Sequence, residues 1–241
     1  MKLGITRIRN EAILIKDTLD HVSKLVDEII VYDDCSEDGT VEICENHPAV
    51  IQVLRNEIWD SDPVIRGRLE KVQRQLLYNA AVKRKPEWIL YFDGDEFASF
   101  EGIDFKADAY RLRLFDFYIT EEDKDLSWKE RKYIGREYRE ILMLFRPHPE
   151  IRFVGRVPKV PKDYVIKKAG WVKHYGKAIS VEEWEKTCQY YINNRHPQGK
   201  FGVEKWKNRV GKAVHTVSDF GNPLITWEER KKKGFKLIKR T

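Results

Sequence analysis

Two short apolar runs, each stopped by a cluster of carboxylates, constrain this chain more than any other feature. Ile29-Ile30-Val31-Tyr32 ends in Asp33-Asp34, and Trp88-Ile89-Leu90-Tyr91-Phe92 ends in Asp93-Gly94-Asp95-Glu96. Unbroken apolar runs of this length mark strands buried on both faces, the condition of a parallel sheet covered by helices. The acid that stops such a strand stands at its carboxyl end. Open α/β sheets bind ligands in the crevice outside those ends, so both clusters are expected where a ligand would bind.

The segments between and before these runs fit the same architecture. Residues 2–8 read as a first strand, followed by Ile13, Leu14, Leu19, Val22 and Leu25 near helical spacing. Ser36-Glu37-Asp38-Gly39-Thr40 supplies turn and N-cap residues before a helix over 41–46, and 50–54 reads as a third strand. Residues 63–85 predict a long basic amphipathic helix with Leu69, Val72, Leu76, Leu77, Ala80 and Ala81 as its apolar face. Beyond residue 105 the pattern turns to strands at 109–117, 141–145, 151–154 and 164–166, with a charged loop or short helix over 120–140. Helical spacing returns at 180–193, 203–214 and 226–233, the first opened by the capping box Ser180-Val181-Glu182-Glu183.

Composition narrows the function classes. A chain of 241 residues, 41% hydrophobic, can bury one sizeable core. No run approaches the roughly 20 apolar residues that span a bilayer, and Met1-Lys2-Leu3-Gly4 does not open a secretory signal, so a cytoplasmic protein is expected. Its 45 basic and 39 acidic residues are interspersed, which argues against a nucleic-acid partner despite the net charge of +6. At 230–240 bases interleave with apolar residues, a pattern suited to peripheral contact with an anionic membrane. Cys35, Cys44 and Cys188 have the spacing of neither a disulfide framework nor a zinc site.

Asp93-Gly94-Asp95 is a D-x-D tripeptide, and two carboxylates at the end of a buried strand can hold a hard divalent cation beside a diphosphate. Three segments together carry a resemblance. Arg7-Ile8-Arg9-Asn10-Glu11 is similar to an R-x-x-N-E opening, residues 31–40 to V-x-D-D-x-S-x-D-G-T, and residues 88–97 to W-x-L-x-x-D-x-D-E-F. In this order and spacing they resemble the family 2-like glycosyltransferases. Looser matches follow at Phe145-Arg146-Pro147, at residues 152–157 and at Val172-Lys173-His174-Tyr175-Gly176, although Pro158-Lys159 stands where relatives often have His-Glu.

The resemblance implies a GT-A fold, an α/β Rossmann-like nucleotide-diphospho-sugar transferase fold whose mixed, mostly parallel sheet is flanked by helices. One domain over 1–241 is expected: a nucleotide-sugar half at 1–105, an acceptor-side half at 106–178 and a C-terminal helical extension at 179–241. It implies that Arg7 and Glu11 lie near the nucleotide, that Asp34 accepts a hydrogen bond from the base, that Asp93 contacts the ribose or metal, and that Asp95 is the direct metal ligand. His174 would complete the shell of a Mn²⁺, or Mg²⁺, ion. The donor would be a UDP- or GDP-sugar and the acceptor a glycan or other hydroxyl compound.

Other residues enter on their chemistry. Arg66, ahead of Arg68, Lys71 and Arg74, is the expected partner of the diphosphate. An inverting transfer needs a general base. Asp116, between Phe115 and Phe117, is the candidate, with a pKa raised by burial, and Glu96, Glu121 and Glu140 compete. Two other readings are a sugar nucleotidyltransferase, which should carry a glycine-rich loop after its first strand, and a non-enzymatic binding module acting through the basic tail.

Overall fold

The computed structural model describes residues 1–60, 62–193, 202–232 and 236–240. The chain opens with β1 (Lys2–Ile8), α1 (Ile15–Val22), β2 (Glu28–Asp34), α2 (Thr40–Glu45), β3 (Val50–Asn56), α3 (Pro63–Lys83) and β4 (Trp88–Phe92). Strands then dominate: β5 (Glu96–Ser99), β6 (Ala109–Tyr118), β7 (Tyr133–Ile134), β8 (Glu137–Phe145), β9 (Arg152–Phe153), β10 (Pro158–Lys159) and β11 (Ile166–His174). The chain closes with α4 (Val181–Asn193), α5 (Val203–Lys207), β12 (Ile225–Thr226) and β13 (Ile238–Lys239). This is the mixed α/β architecture expected, but it divides into two compact units that cut across the three consecutive spans: residues 1–60, 65–113 and 141–172 in the first, 61–64, 114–140 and 173–241 in the second.

In the first unit the strands run in the order β3-β2-β1-β4-β8. β1 pairs in parallel with β2 (Ile5↔Ile30) and β4 (Ile5↔Tyr91), β3 continues the parallel set beside β2, and β8 joins β4 antiparallel at Ile89↔Phe145. One face of this sheet buries Leu3, Ile5, Ile30, Tyr32, Ile89 and Tyr91 against Leu77, Tyr78 and Ala81 of α3 and against Phe145, Ile151 and Phe153. On the other face Gly4 admits its neighbours closely: a Cβ there would sit 3.2 Å from Ile29 and Val26 and 3.3 Å from Phe92.

Helix α3 departs from its expected face. Val72 and Leu76 are 53% and 49% exposed, and the buried residues are Arg66, Gln73, Arg74, Leu77, Tyr78 and Ala81. Hydrogen bonds hold the polar side chains there, with Arg74 Nε donating to Tyr91 Oη at 2.7 Å and Nη1 to Glu70, one turn back in the same helix, at 2.9 Å. β11 is longer than expected because its middle, Lys167-Lys168-Ala169-Gly170, lacks alternation. Gly170 takes φ +75° with no room for a side chain, its Cβ position lying 2.4 Å from Ser99 O.

The second unit is built on β12-β7-β6, joined antiparallel by Ile225↔Ile134 and Phe117↔Ile134. Phe117 stacks on Tyr175 at 4.5 Å between centroids, and Trp184, Cys188 and Ala213 form a small core with Trp206. Two expected helices are corrected here. α5 ends at Lys207, and Gly211 turns to φ +71°. At 226–232 the chain makes a 3-10 turn, Glu229–Lys231, because Glu229 accepts from Thr226 N at 2.9 Å and closes the segment on itself.

The described part of the basic tail folds back as well. β13 pairs in parallel with β8 at Ile238↔Glu137, Lys239 binds Glu140 at 2.7 Å, and Arg240 covers the Phe220 ring at 3.8 Å. Residues 233–235 and 241 of that tail lie outside the described residues.

The close packing around Gly4 yields a direct test. Gly4→Val places methyl groups against Ile29, Val26 and Phe92 and should destabilise the protein by about 1–3 kcal/mol, measured by urea unfolding.

Candidate active site

Parallel register brings the carboxyl ends of three strands together in the first unit. Thr6 of β1 lies level with Val31 and Phe92, and Ile8 lies level with Asp33. Asp34 therefore emerges on one side of β1 and Asp93 on the other, with Arg7 on the central strand and Arg9 just beyond its end. The stop signals read from the sequence stand at adjacent strand ends.

The two neighbouring aspartates of β2 are held differently. Asp34 accepts at Oδ1 from Gln73 Nε2 at 2.7 Å and from Asn56 Nδ2 at 3.1 Å, while Oδ2 takes a short charge-assisted bond from Arg7 Nη2. Gln73 closes the triangle by accepting from Arg7 Nε at 2.6 Å. Asp33 is fully buried and turned the opposite way, where its Oδ2 caps the following turn by accepting from Ser36 N at 3.0 Å. Gln73 and Asn56 were not singled out by sequence reading. Their signal, polar residues on a predicted apolar face and at a strand terminus, is too common to be informative alone.

The S-x-D-G-T segment builds the first loop rather than presenting reactive groups. Ser36 Oγ accepts from Asn10 N at 2.8 Å, Thr40 Oγ1 from Glu11 N at 2.8 Å and Asp38 Oδ2 from Ala12 N at 3.1 Å, while Asn10 Oδ1 takes Glu37 N at 3.0 Å. Asn10 and Cys35 adopt φ of 53° and 61°, the left-handed conformation that lets the two loops face each other. Glu11 in turn packs on the D-x-D turn. A Cβ on Gly94 would lie 2.9 Å from Glu11 Cγ, so glycine is required there by a side chain, and Thr18 Oγ1 fixes the same residue by donating to Gly94 O at 2.6 Å.

The acidic turn after β4 separates into roles by burial. Glu96 is fully buried, accepts from Asp93 N at 3.0 Å and is paired with Arg156, which leaves it a structural anchor rather than a general base. Arg156 Nε also stands 3.0 Å from Asp93 Oδ2. Burial works against the guanidinium charge, but Asp93 and Glu96 outweigh it and raise the Arg156 pKa, so it stays protonated. Asp95 is half-buried, and carboxylate oxygens of Asp95 and Glu96 come within 4.8 Å of one another. Carboxylate oxygen is a donor that suits Mg²⁺ or Mn²⁺.

Trp59 carries two guanidiniums: Arg9 Cζ at 3.5 Å and Arg66 Cζ at 5.1 Å from the ring centroid. Arg66 is buried, 8% exposed, whereas Arg68 and Lys71 face solvent and Arg74 is committed to Tyr91 and Glu70.

Asp116 and His174 belong to the second unit. His174 Nδ1 lies 2.7 Å and Arg139 Nη2 2.8 Å from Asp116 Oδ1, with Lys177 Nζ 3.6 Å from Oδ2. The expectation of a raised pKa is overturned. Burial pushes the carboxyl up, but Lys177, the His174 hydrogen bond and Arg139 together hold it well below the usual range. As an ionised acceptor it receives a hydrogen bond from Nδ1–H of His174, which leaves Nε2 as the other ring nitrogen. The competing acids are also engaged, Glu121 by Lys124 at 2.6 Å and Glu140 by Lys239.

Comparison with known proteins gives the same direction. Residues 5–60 match the model of Glycosyl transferase family 2. The chain is 38% identical over 93 residues to the uncharacterized proteins Rv3786c of Mycobacterium tuberculosis and Mb3815c of Mycobacterium bovis, covering 39% of this chain and 23% of each relative. It is 28% identical over 159 residues to the SPbeta prophage-derived glycosyltransferase SunS of Bacillus subtilis, covering 65% of this chain and 34% of the relative. The chain thus spans about a quarter to a third of the length of these curated relatives.

Two ion-pair clusters can be tested separately. Arg156→Met leaves the buried Glu96 without its cation and should lower stability by about 3 kcal/mol, read by chemical denaturation. Asp116 contributes stability that is fully present above the ordinary carboxyl pKa near 4 and is lost as pH falls toward its depressed folded value. The difference in unfolding free energy between wild type and Asp116→Asn should therefore be wide at neutral pH. It should narrow as acid takes the solution below about pH 4.

Proposed function

We propose that this family 2-like glycosyltransferase, α/β and of the GT-A type, transfers a hexosyl group from a UDP- or GDP-sugar to a glycan or other hydroxyl acceptor, with inversion. The observation that carries the reading is the strand-end rim of the first unit, where Asp34 and the Asp93-Gly94-Asp95 turn flank the central strand and a positively charged group, Arg9 with Arg66, lies over Trp59.

Each residue acts through its position. Arg7 and Gln73 fix the Asp34 carboxylate so that it can orient the nucleoside, and Glu11 lies against Gly94 below the acidic turn. Arg9 and Arg66 offer guanidinium groups to diphosphate oxygens. Asp93, steadied by Arg156, and Asp95 would hold the divalent cation. When bound, that cation offsets the charge that builds on the departing nucleoside diphosphate. Asp116 is reassigned: a carboxyl held so low is a weak proton acceptor, and its role is to orient the His174 ring. The protein would act in the cytoplasm, and among the described residues no helix is long and apolar enough to cross a membrane.

A nucleotidyltransferase is disfavoured by the first loop. Such an enzyme cradles phosphates with backbone N–H groups of a glycine-rich turn, whereas here the N–H groups of Asn10, Glu11 and Ala12 are taken by Ser36, Thr40 and Asp38.

A Mn²⁺-dependent screen for hydrolysis of UDP- and GDP-sugars tests the proposal. Asp95→Ala should reduce metal-stimulated turnover by about 100-fold or more with an unchanged circular dichroism spectrum. Turnover equal to wild type would remove Asp95 from the site.

A further inference from the structure

Helix α3 presents two different chemistries. Its inner arc carries Gln73, Arg74, Leu77, Tyr78 and Ala81, all buried. Its outer arc carries Ile65, Val72 and Leu76, which are 42%, 53% and 49% exposed. At 3.6 residues per turn these three fall within about 40° of one another along the helix, with Lys83 continuing the same line.

The exposed charges that α3 itself carries have one sign. Arg68, Lys71 and Lys83 are exposed, and the only acid in the helix sequence, Glu70, is paired with Arg74 at 2.9 Å. An apolar stripe on a helix whose exposed charges are basic is complementary to a surface that is both oily and negative. A second copy of the chain fits poorly, because a two-fold contact sets the same patch against itself and would bring Arg68 and Lys71 toward their own counterparts. The basic tail at 230–240, the segment the sequence offered for this purpose, has Ile238 and Lys239 paired with β8 and Lys239 bound to Glu140.

We propose that the outer face of α3 is a docking surface for an anionic lipid bilayer, with Ile65, Val72 and Leu76 entering the interface and Arg68, Lys71 and Lys83 meeting the headgroups. The inner arc of the same helix holds Asp34 through Gln73, so docking would bring the strand-end rim close to lipid. The membrane contact itself does not require sugar transfer, and the two ideas fail independently.

The test is flotation of the full chain with vesicles of phosphatidylcholine alone or with about 30% phosphatidylglycerol. Wild type should float with the anionic vesicles only, and the bound fraction should fall as salt rises. Arg68→Gln with Lys71→Gln should weaken binding by about 30-fold, the effect of removing two charges at a lipid surface. Val72→Glu with Leu76→Glu should also abolish flotation, while circular dichroism and donor hydrolysis in solution stay at wild-type levels. Wild type failing to bind anionic vesicles, either double variant binding like wild type, or a wild-type dimer in sedimentation velocity that Val72→Glu dissociates would each overturn the proposal.

Discussion

The carboxylate of Asp34 is the constraint on which the candidate site rests. It is 4% exposed at the end of β2, and it is tied to β1 through Arg7, to β3 through Asn56 and to α3 through Gln73. A buried charge in such a place is tolerated only when its oxygens are satisfied by donors that the surrounding elements cannot withdraw. Three elements of secondary structure are therefore positioned with respect to one side chain.

The same logic explains why neighbouring acids have different capabilities. Asp33 and Glu96 are fully buried and bonded to nearby backbone, so they shape turns. Asp93 and Asp95 retain partial exposure. Asp116, although buried, is held ionised by neighbouring cations. A carboxylate's chemistry here is set by what faces it, and residue type alone says little about which one reacts.

That distinction also marks what was legible in the sequence. β2 and β4 declared themselves because their apolar runs are unbroken and end in acids. The inner face of α3 did not, since Gln73 and Arg74 answer to Asp34 and Tyr91, partners 39 and 17 residues away that no local period reveals. The Asp116–His174 contact spans 58 residues and was likewise hidden, which is why burial alone suggested the wrong direction for its proton affinity. The S-x-D-G-T segment was recognisable as a motif, but its work as a clasp on the backbone of residues 10–12 depends on two loops meeting in space.

The contact between Glu11 and Gly94 links two positions 83 residues apart through shared volume. Neither can change size by itself: a methyl group at 94 requires residue 11 to retreat, and a retreating residue 11 opens space beneath the acidic turn. Homologues that tolerate a larger residue between the two aspartates should carry a shorter side chain at the position of Glu11. The two sites would then drift together as one compensated pair rather than as independent letters of two motifs.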